Sequence, residues 1–240
     1  MLFAGAVGAG VVMVVWAVSW RRKNASLAEA PMMPADAEAF CPAAPLRGFW
    51  RRPQCWLAIR SRNLETVQEA LGLNNPTPCS WSEGLSCDRQ LFVSPPLNGW
   101  ILVVGAELPD PADDVDVCFR FLTELSRRLG HVQMFKTDPL LHHHAWARLE
   151  SGIVLRAYAW AEKTLWNQGT KTPAENDLGI HCYAYDESAS GATWELDDVV
   201  ANNSEKVQLL AARWSLNPST IDGRFLERSR GVTGRPARWY

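Results

Sequence analysis

The sequence lacks the short signatures of most familiar chemistries. Its six cysteines (Cys41, Cys55, Cys79, Cys87, Cys118 and Cys182) include no C-x-x-C pair and no zinc-ribbon spacing, which removes the strongest sequence signal for bound zinc. No G-x-S-x-G, H-E-x-x-H or P-loop occurs, so the serine-hydrolase elbow, the zinc-protease helix and the common phosphate cradle are all missing. Charge of one sign is missing as well: 24 Lys and Arg against 26 Asp and Glu leave a net −2. Nothing in that balance marks a nucleic-acid binder, and none is expected as a partner. There is no internal repeat. What the chain does have is 240 residues at 47% hydrophobic content, enough for one good core with residues to spare for tails, and twelve tryptophans. Side chains of that size, apolar with one polar handle, belong first at the edges of a core.

The N-terminus is the most decisive segment. Leu2 to Trp20, "LFAGAVGAGVVMVVWAVSW", carries no charge and is about long enough to cross the ~30 Å of bilayer hydrocarbon as a helix. "RRK", Arg21 to Lys23, follows at once. A secretory signal would place its positive charge before a shorter apolar run. The order here predicts a single transmembrane helix with the rest of the chain on the cytoplasmic side of an inner membrane. "GAVGAG" imitates a dinucleotide-binding loop but lacks the preceding strand that loop needs. Gly5 with Ala9 and Ala6 with Gly10 have the spacing of helix packing in a membrane. Residues 24–54, rich in Ala and Pro, read as a linker. Its end, with Arg47, Arg51 and Arg52 beside Phe49 and Trp50, suits either an anionic lipid surface or plain solvent.

Folded structure is expected over 55–222, followed by a basic tail over 223–240. "CWLAIRS" reads as a strand, and "NLETVQEALG" as a helix capped by Asn63 and stopped by Gly72. "CSWSEGL" gives one or two helical turns. "QLFVSPP" and "GWILVVGAEL" are strands joined around Asn98-Gly99. The strongest helix is "DVDVCFRFLTELSRRLG", with Val115, Cys118, Phe121, Leu122, Leu125 and Leu129 on one stripe. Asp113 or Asp114 starts it, so the run of acids at Asp110, Asp113, Asp114 and Asp116 is read as capping rather than as a cation site. "HVQMF" is a strand, "TPAENDLG" a short capped helix, "IHCYAY" a possible strand and "SEKVQLLAARW" a helix. The fold class this predicts is α+β: a mainly antiparallel sheet with helices packed on one face. Thiols in the cytoplasm should be free, and Cys118 and Cys182 sit in patterns that suit burial.

The segment Leu140 to Trp160, "LLHHHAWARLESGIVLRAYAW", reads as a hairpin. With a three-residue loop Glu150-Ser151-Gly152, Ala145, Ala147 and Leu149 share one face with Ile153, Leu155 and Ala157. The other face carries His142, His144, Trp146 and Arg148 with Val154, Arg156, Tyr158 and Trp160. In that register Arg156 stacks on Trp146. A two-residue loop, Ser151-Gly152, is the competing register and mixes the two classes. Alternation puts His143 opposite its neighbours, so three consecutive histidines on a regular strand are not three ligands. His142 and His144 supply two, with His131, His181 or a carboxylate needed as a third, and no spacing demands one. No metal and no cofactor are expected.

Four stretches in order, "VQEALGLNNPTPCSWSEGL", "LFVSPPLNGWILVVG", "LSRRLGHVQMF…HAWARLESGIVLRAYAW" and "LAARWSLNP", resemble a family of bacterial proteins with no assigned activity. The resemblance covers about residues 55–222, leaving out the anchor, the linker and the tail. It implies a bacterial protein but no catalytic residue, and joined to the predicted anchor it gives a bacterial inner membrane as the expected location.

These readings favour a membrane-tethered cytoplasmic binding or regulatory domain over an enzyme. The expected ligand face is Trp146, Arg148, Arg156, Tyr158 and Trp160, with His142 and His144 at its edge. Two arginines beside aromatics suit an anionic or peptide partner: a peptide carboxylate, a phosphate ester or a lipid headgroup. The alternatives are a hydrolase using His142 or His144 as base, and a component of a defence or immunity complex. The same face covered by a helix, its arginines in internal ion pairs, is the competing structural reading.

Overall fold

The structure, a computed structural model, describes residues 54–86, 90–185 and 193–236, with only the backbone over 193–202. The described residues all belong to one compact unit. The expected transmembrane helix and most of the linker lie outside the described residues. Among the described residues, no helix is long and apolar enough to cross a membrane.

In chain order the elements are β1 (Cys55–Ile59), α1 (Leu64–Leu71), β2 (Asn74–Cys79), α2 (Trp81–Leu85), β3 (Leu91–Val93) and β4 (Ile101–Val104). Then come α3 (Val115–Leu129), β5 (His131–Asp138), β6 (His143–Glu150), β7 (Ile153–Ala161) and β8 (Lys163–Gln168). The chain continues with α4 (Pro173–Asp177), α5 (Thr193–Trp214), α6 (Gly223–Arg228) and β9 (Gly231–Arg235). The strands form one nine-stranded sheet in the order β2-β9-β3-β4-β1-β5-β6-β7-β8, and the neighbours pair antiparallel throughout. The fold is therefore α+β, as the pattern of elements predicts.

Helices cover both faces of this sheet rather than one, and that corrects the expectation. On one face Leu57 and Ile59 of β1 pack with Val67 and Leu71 of α1 and Cys118, Leu122 and Leu125 of α3. On the other, Trp56 and Ala58 pack with Trp81 of α2, Val207 and Leu210 of α5, and Leu226 of α6. A strand between two layers needs apolar side chains on both sides, which is why β1 and β4 are continuous apolar runs without alternation.

The caps stand where the sequence places them. Asn63 accepts from Thr66 N, and Gly72 closes α1 in the left-handed conformation at φ 59°. Asp114 accepts from the Asp116 and Val117 amides at the start of α3. Ser80 and Thr172 each form a reciprocal capping box, with Glu83 and Glu175 respectively.

Three expectations change. Within the expected tail, residues 223–236 belong to the fold: α6 packs on the core through Leu226, and β9 pairs with β2 on one side and β3 on the other. "IHCYAY" is not a strand, because Asn203 of α5 takes the place of a neighbouring strand, accepting from His181 N at 3.1 Å and donating to His181 O at 2.6 Å. The hairpin differs in register. Its loop is the two-residue Ser151-Gly152 turn, both residues at positive φ, with Glu150 opposite Ile153. An irregularity between Arg148 and Leu149 then shifts the pairing, so Leu155 is the extra residue of a β-bulge. Beyond it Arg148 faces Arg156, Trp146 faces Tyr158 and His144 faces Trp160. Beyond the bulge the partition into faces is the one alternation predicts, but before it Ile153 and Val154 exchange faces: Val154 packs in the core with Leu149, and Ile153 lies exposed opposite Glu150.

Candidate functional site

The aromatic and arginine face of the β6–β7 hairpin lies under helices α4 and α5, and at its centre is a buried ion pair. Arg156 and Glu175 have side chains 1% and 0% exposed, and Arg156 Nε donates to Glu175 Oε1 at 2.8 Å. Trp146 Nε1 donates to the same oxygen at 2.9 Å. The other carboxylate oxygen accepts from the Thr172 amide and hydroxyl at 2.7 and 2.8 Å. Both oxygens are thus taken, and the carboxylate that caps α4 also fixes that helix to the sheet. The rest of the Arg156 guanidinium is engaged too: Nη1 reaches Asn167 Oδ1 at 2.9 Å and the Ala157, Gln168 and Gly169 carbonyls, while Nη2 reaches Cys182 Sγ at 3.1 Å. Its cation–π partner is Tyr158, with Cζ 5.9 Å from the ring centroid, rather than the expected Trp146.

The other expected site residues divide between closed and open positions. Trp146, Tyr158, Trp160 and His144 are buried. The Tyr158 hydroxyl accepts from Tyr183 N at 3.1 Å, and burial pushes its pKa up to about 12. His142 is exposed, in the left-handed region at φ 54°, within the turn before β6. His144 stacks on Trp146 and Tyr158. Its Nδ1 lies 3.3 Å from Ser204 Oγ, and its Nε2 is buried without a partner. Burial drives its pKa down to about 4, so the imidazole is neutral near pH 7 and too weak a base to draw a proton from that serine. Among the described residues no three His, Cys, Asp or Glu side chains gather as a metal site. The four described cysteines, Cys55, Cys79, Cys118 and Cys182, form no disulfide. Burial raises their pKa values, to about 11 for Cys79 and Cys182, which leaves them as unreactive thiols. Beside the β5–β6 turn, Gln54, Pro139 and His142 face Ser204 and Glu205 of α5 across a cleft of about 360 Å³.

One residue of the expected face stays open and has no partner among the described residues. Arg148 is half-buried, its Nε is buried without an acceptor, and it forms no hydrogen bond or ion pair among the described residues. It stands opposite Gln133 on β5. Gln133 Nε2 donates to Trp214 O at 3.3 Å, at the end of α5, and lies 3.0 Å from His131 Nε2. Because a carbonyl only accepts, the amide nitrogen must face Trp214 and His131. Neutral His131 therefore accepts at Nε2 and keeps its proton on Nδ1. Gln133 Oε1 is left buried and unpartnered. Arg60, exposed at the end of β1, donates its backbone N–H to His131 O at 3.0 Å. His131 sits edge-on to Trp100, with ring centroids 5.3 Å apart. Burial first and the charge of Arg148 next lower the His131 pKa; Glu150 opposes them, and Arg60 adds a smaller push in the same direction as Arg148. Glu150 is exposed and ion-pairs with neither arginine.

Arg60, His131, Gln133 and Trp100 are not among the residues the sequence singles out as a ligand face. The signal that would have found them is pairing: once β1, β5 and β6 are adjacent, Arg60, His131 and Arg148 come to one end of one face. No family model matches the chain, and no curated protein or solved structure matches it.

Proposed function

We propose that this chain is a binding domain tethered to the cytoplasmic face of a bacterial inner membrane by Leu2 to Trp20, and that it takes an anionic ligand through Arg148. The observation that supports this is a half-buried guanidinium with no acceptor among the described residues. Partial desolvation of a charge is costly unless it is paired, and Arg156, one strand away, has its full set of partners. Arg148 lies near the His131 imidazole at the end of the sheet, and Arg60 approaches that imidazole from the strand on its other side. An oxyanion there would accept charge-assisted hydrogen bonds, and Trp100 would supply an apolar wall.

The reading is tested on the full chain in detergent micelles by calorimetric titration with inorganic phosphate and with acetate. Saturable binding of either, weakened about tenfold or more in Arg148→Ala, is the expected result for loss of a charge-assisted pair. An Arg148→Ala chain that binds as the parent does would count against it. Retention of the chain in membranes after alkaline carbonate washing, with the domain digested only when protease reaches the cytoplasmic side, tests the tether. The hydrolase reading has less support, because the buried, weakly basic His144 and exposed His142 share no carboxylate partner among the described residues.

A further inference from the structure

Resting on the anion-binding reading, we infer that the group taken at this end of the sheet is a phosphate monoester rather than a carboxylate. The donors come from three adjacent strands. Arg60 follows β1, His131 opens β5, and Arg148 lies on β6. Neighbouring strands are about 4.8 Å apart, so the two arginines approach from strands separated by about 10 Å with the imidazole between them. A carboxylate has two coplanar oxygens and matches one guanidinium fork. A phosphate monoester has three terminal oxygens in a tetrahedral fan, and can accept from donors on three sides at once.

Charge points the same way. Two guanidiniums face the site, and neither has an ion-pair partner among the described residues. A carboxylate neutralises one of them, whereas a monoester carries close to two negative charges at neutral pH. The Nδ1–H of neutral His131 supplies a donor without adding a third positive charge beside the arginines. Gln133 fixes that tautomer through its 3.0 Å contact to Nε2. The charged groups set around His131 are Arg60 on the β1 side and Arg148 and Glu150 on the β6 side. Binding a dianion among them should raise the His131 pKa.

The test uses the full chain in micelles at fixed ionic strength, with methyl phosphate and acetate as probes. Expected are methyl phosphate binding about tenfold or more tighter than acetate, and a similar loss in Arg60→Ala as well as in Arg148→Ala. NMR titration of the imidazoles, with His131 assigned through His131→Gln, should show its pKa rising when methyl phosphate is bound. Arg60 is exposed, so its variant keeps the test decisive if Arg148→Ala fails to fold. Acetate binding as tightly as methyl phosphate, with both lost in Arg148→Ala, would overturn the phosphate assignment and leave the anion-binding reading standing. No binding of either probe would overturn both. Glycerol 3-phosphate and dihexanoyl phosphatidate then separate the two sources of this chemistry: equal affinities assign a soluble ester, and a gain of about tenfold for the phosphatidate assigns a lipid headgroup.

Discussion

Single side chains decide most at the Arg156–Glu175 pair. Removing one member of a buried, hydrogen-bonded pair leaves an uncompensated charge, so Glu175→Ala should destabilise the domain by about 3–5 kcal/mol in urea unfolding. It removes the acceptor of Trp146 and half of the α4 capping box in the same stroke. His144 makes stability depend on pH. It is neutral in the fold, with a pKa near 4, whereas in the unfolded chain it takes up a proton near pH 6.5. Acid therefore favours unfolding: the contribution is complete above about pH 6.5, declines as pH falls, and is lost by about pH 4, a span worth about 3 kcal/mol. Unfolding curves at pH 7 and pH 4.5 should differ more for the parent than for His144→Phe. The sequence made visible that arginines and aromatics share a face. It did not reveal that Glu175, 19 residues beyond Arg156, would neutralise one of those arginines, since a capping glutamate has the same local signature whether or not its second oxygen faces a buried cation.

Elements with strong periodicity or caps were legible, as α1, α3, β4 and the β6–β7 hairpin show. β2, β8 and β9 were not, and each miss has a cause. β2 is "NNPTPC", whose prolines are compatible with a sheet only at an edge. β9, "GVTGR", has one large apolar residue and two glycines. Gly231 is required there because a Cβ would stand 2.4 Å from Val93 O. β8 carries buried Thr164 and Trp166, too short an alternation to stand out beside its neighbours. In the hairpin, turn chemistry and face partition disagreed by one residue, and the bulge at Leu155 reconciles them. Gly152 holds the turn at φ 84°, where an added Cβ would lie 2.5 Å from the Arg127 side chain. Gly152→Ala should therefore lower stability by about 1–2 kcal/mol and lower Tm by a few degrees.

At the scale of the whole molecule, the second helical layer was hidden because coverage is a property of two elements, not one. The unalternating "CWLAI" and "ILVV" are its trace in the sequence, and Val207, Leu210 and Ala211 of α5 complete it. A chain ending at Arg230 should lose more than its last strand. β2 has no other neighbour in the sheet and β3 becomes an edge, so limited proteolysis should cut within residues 73–80, which the parent protects. That position of β9 also sets a timetable for synthesis. Domains of a growing chain commonly assemble from the N-terminal side as they emerge. Here the strand of residues 231–235 lies inside the sheet, between two strands made some 140 to 160 residues earlier. The sheet cannot close until residues 231–235 have left the ribosome. β2, made long before, has no neighbour in the sheet until then, so its pairing is among the last events of folding.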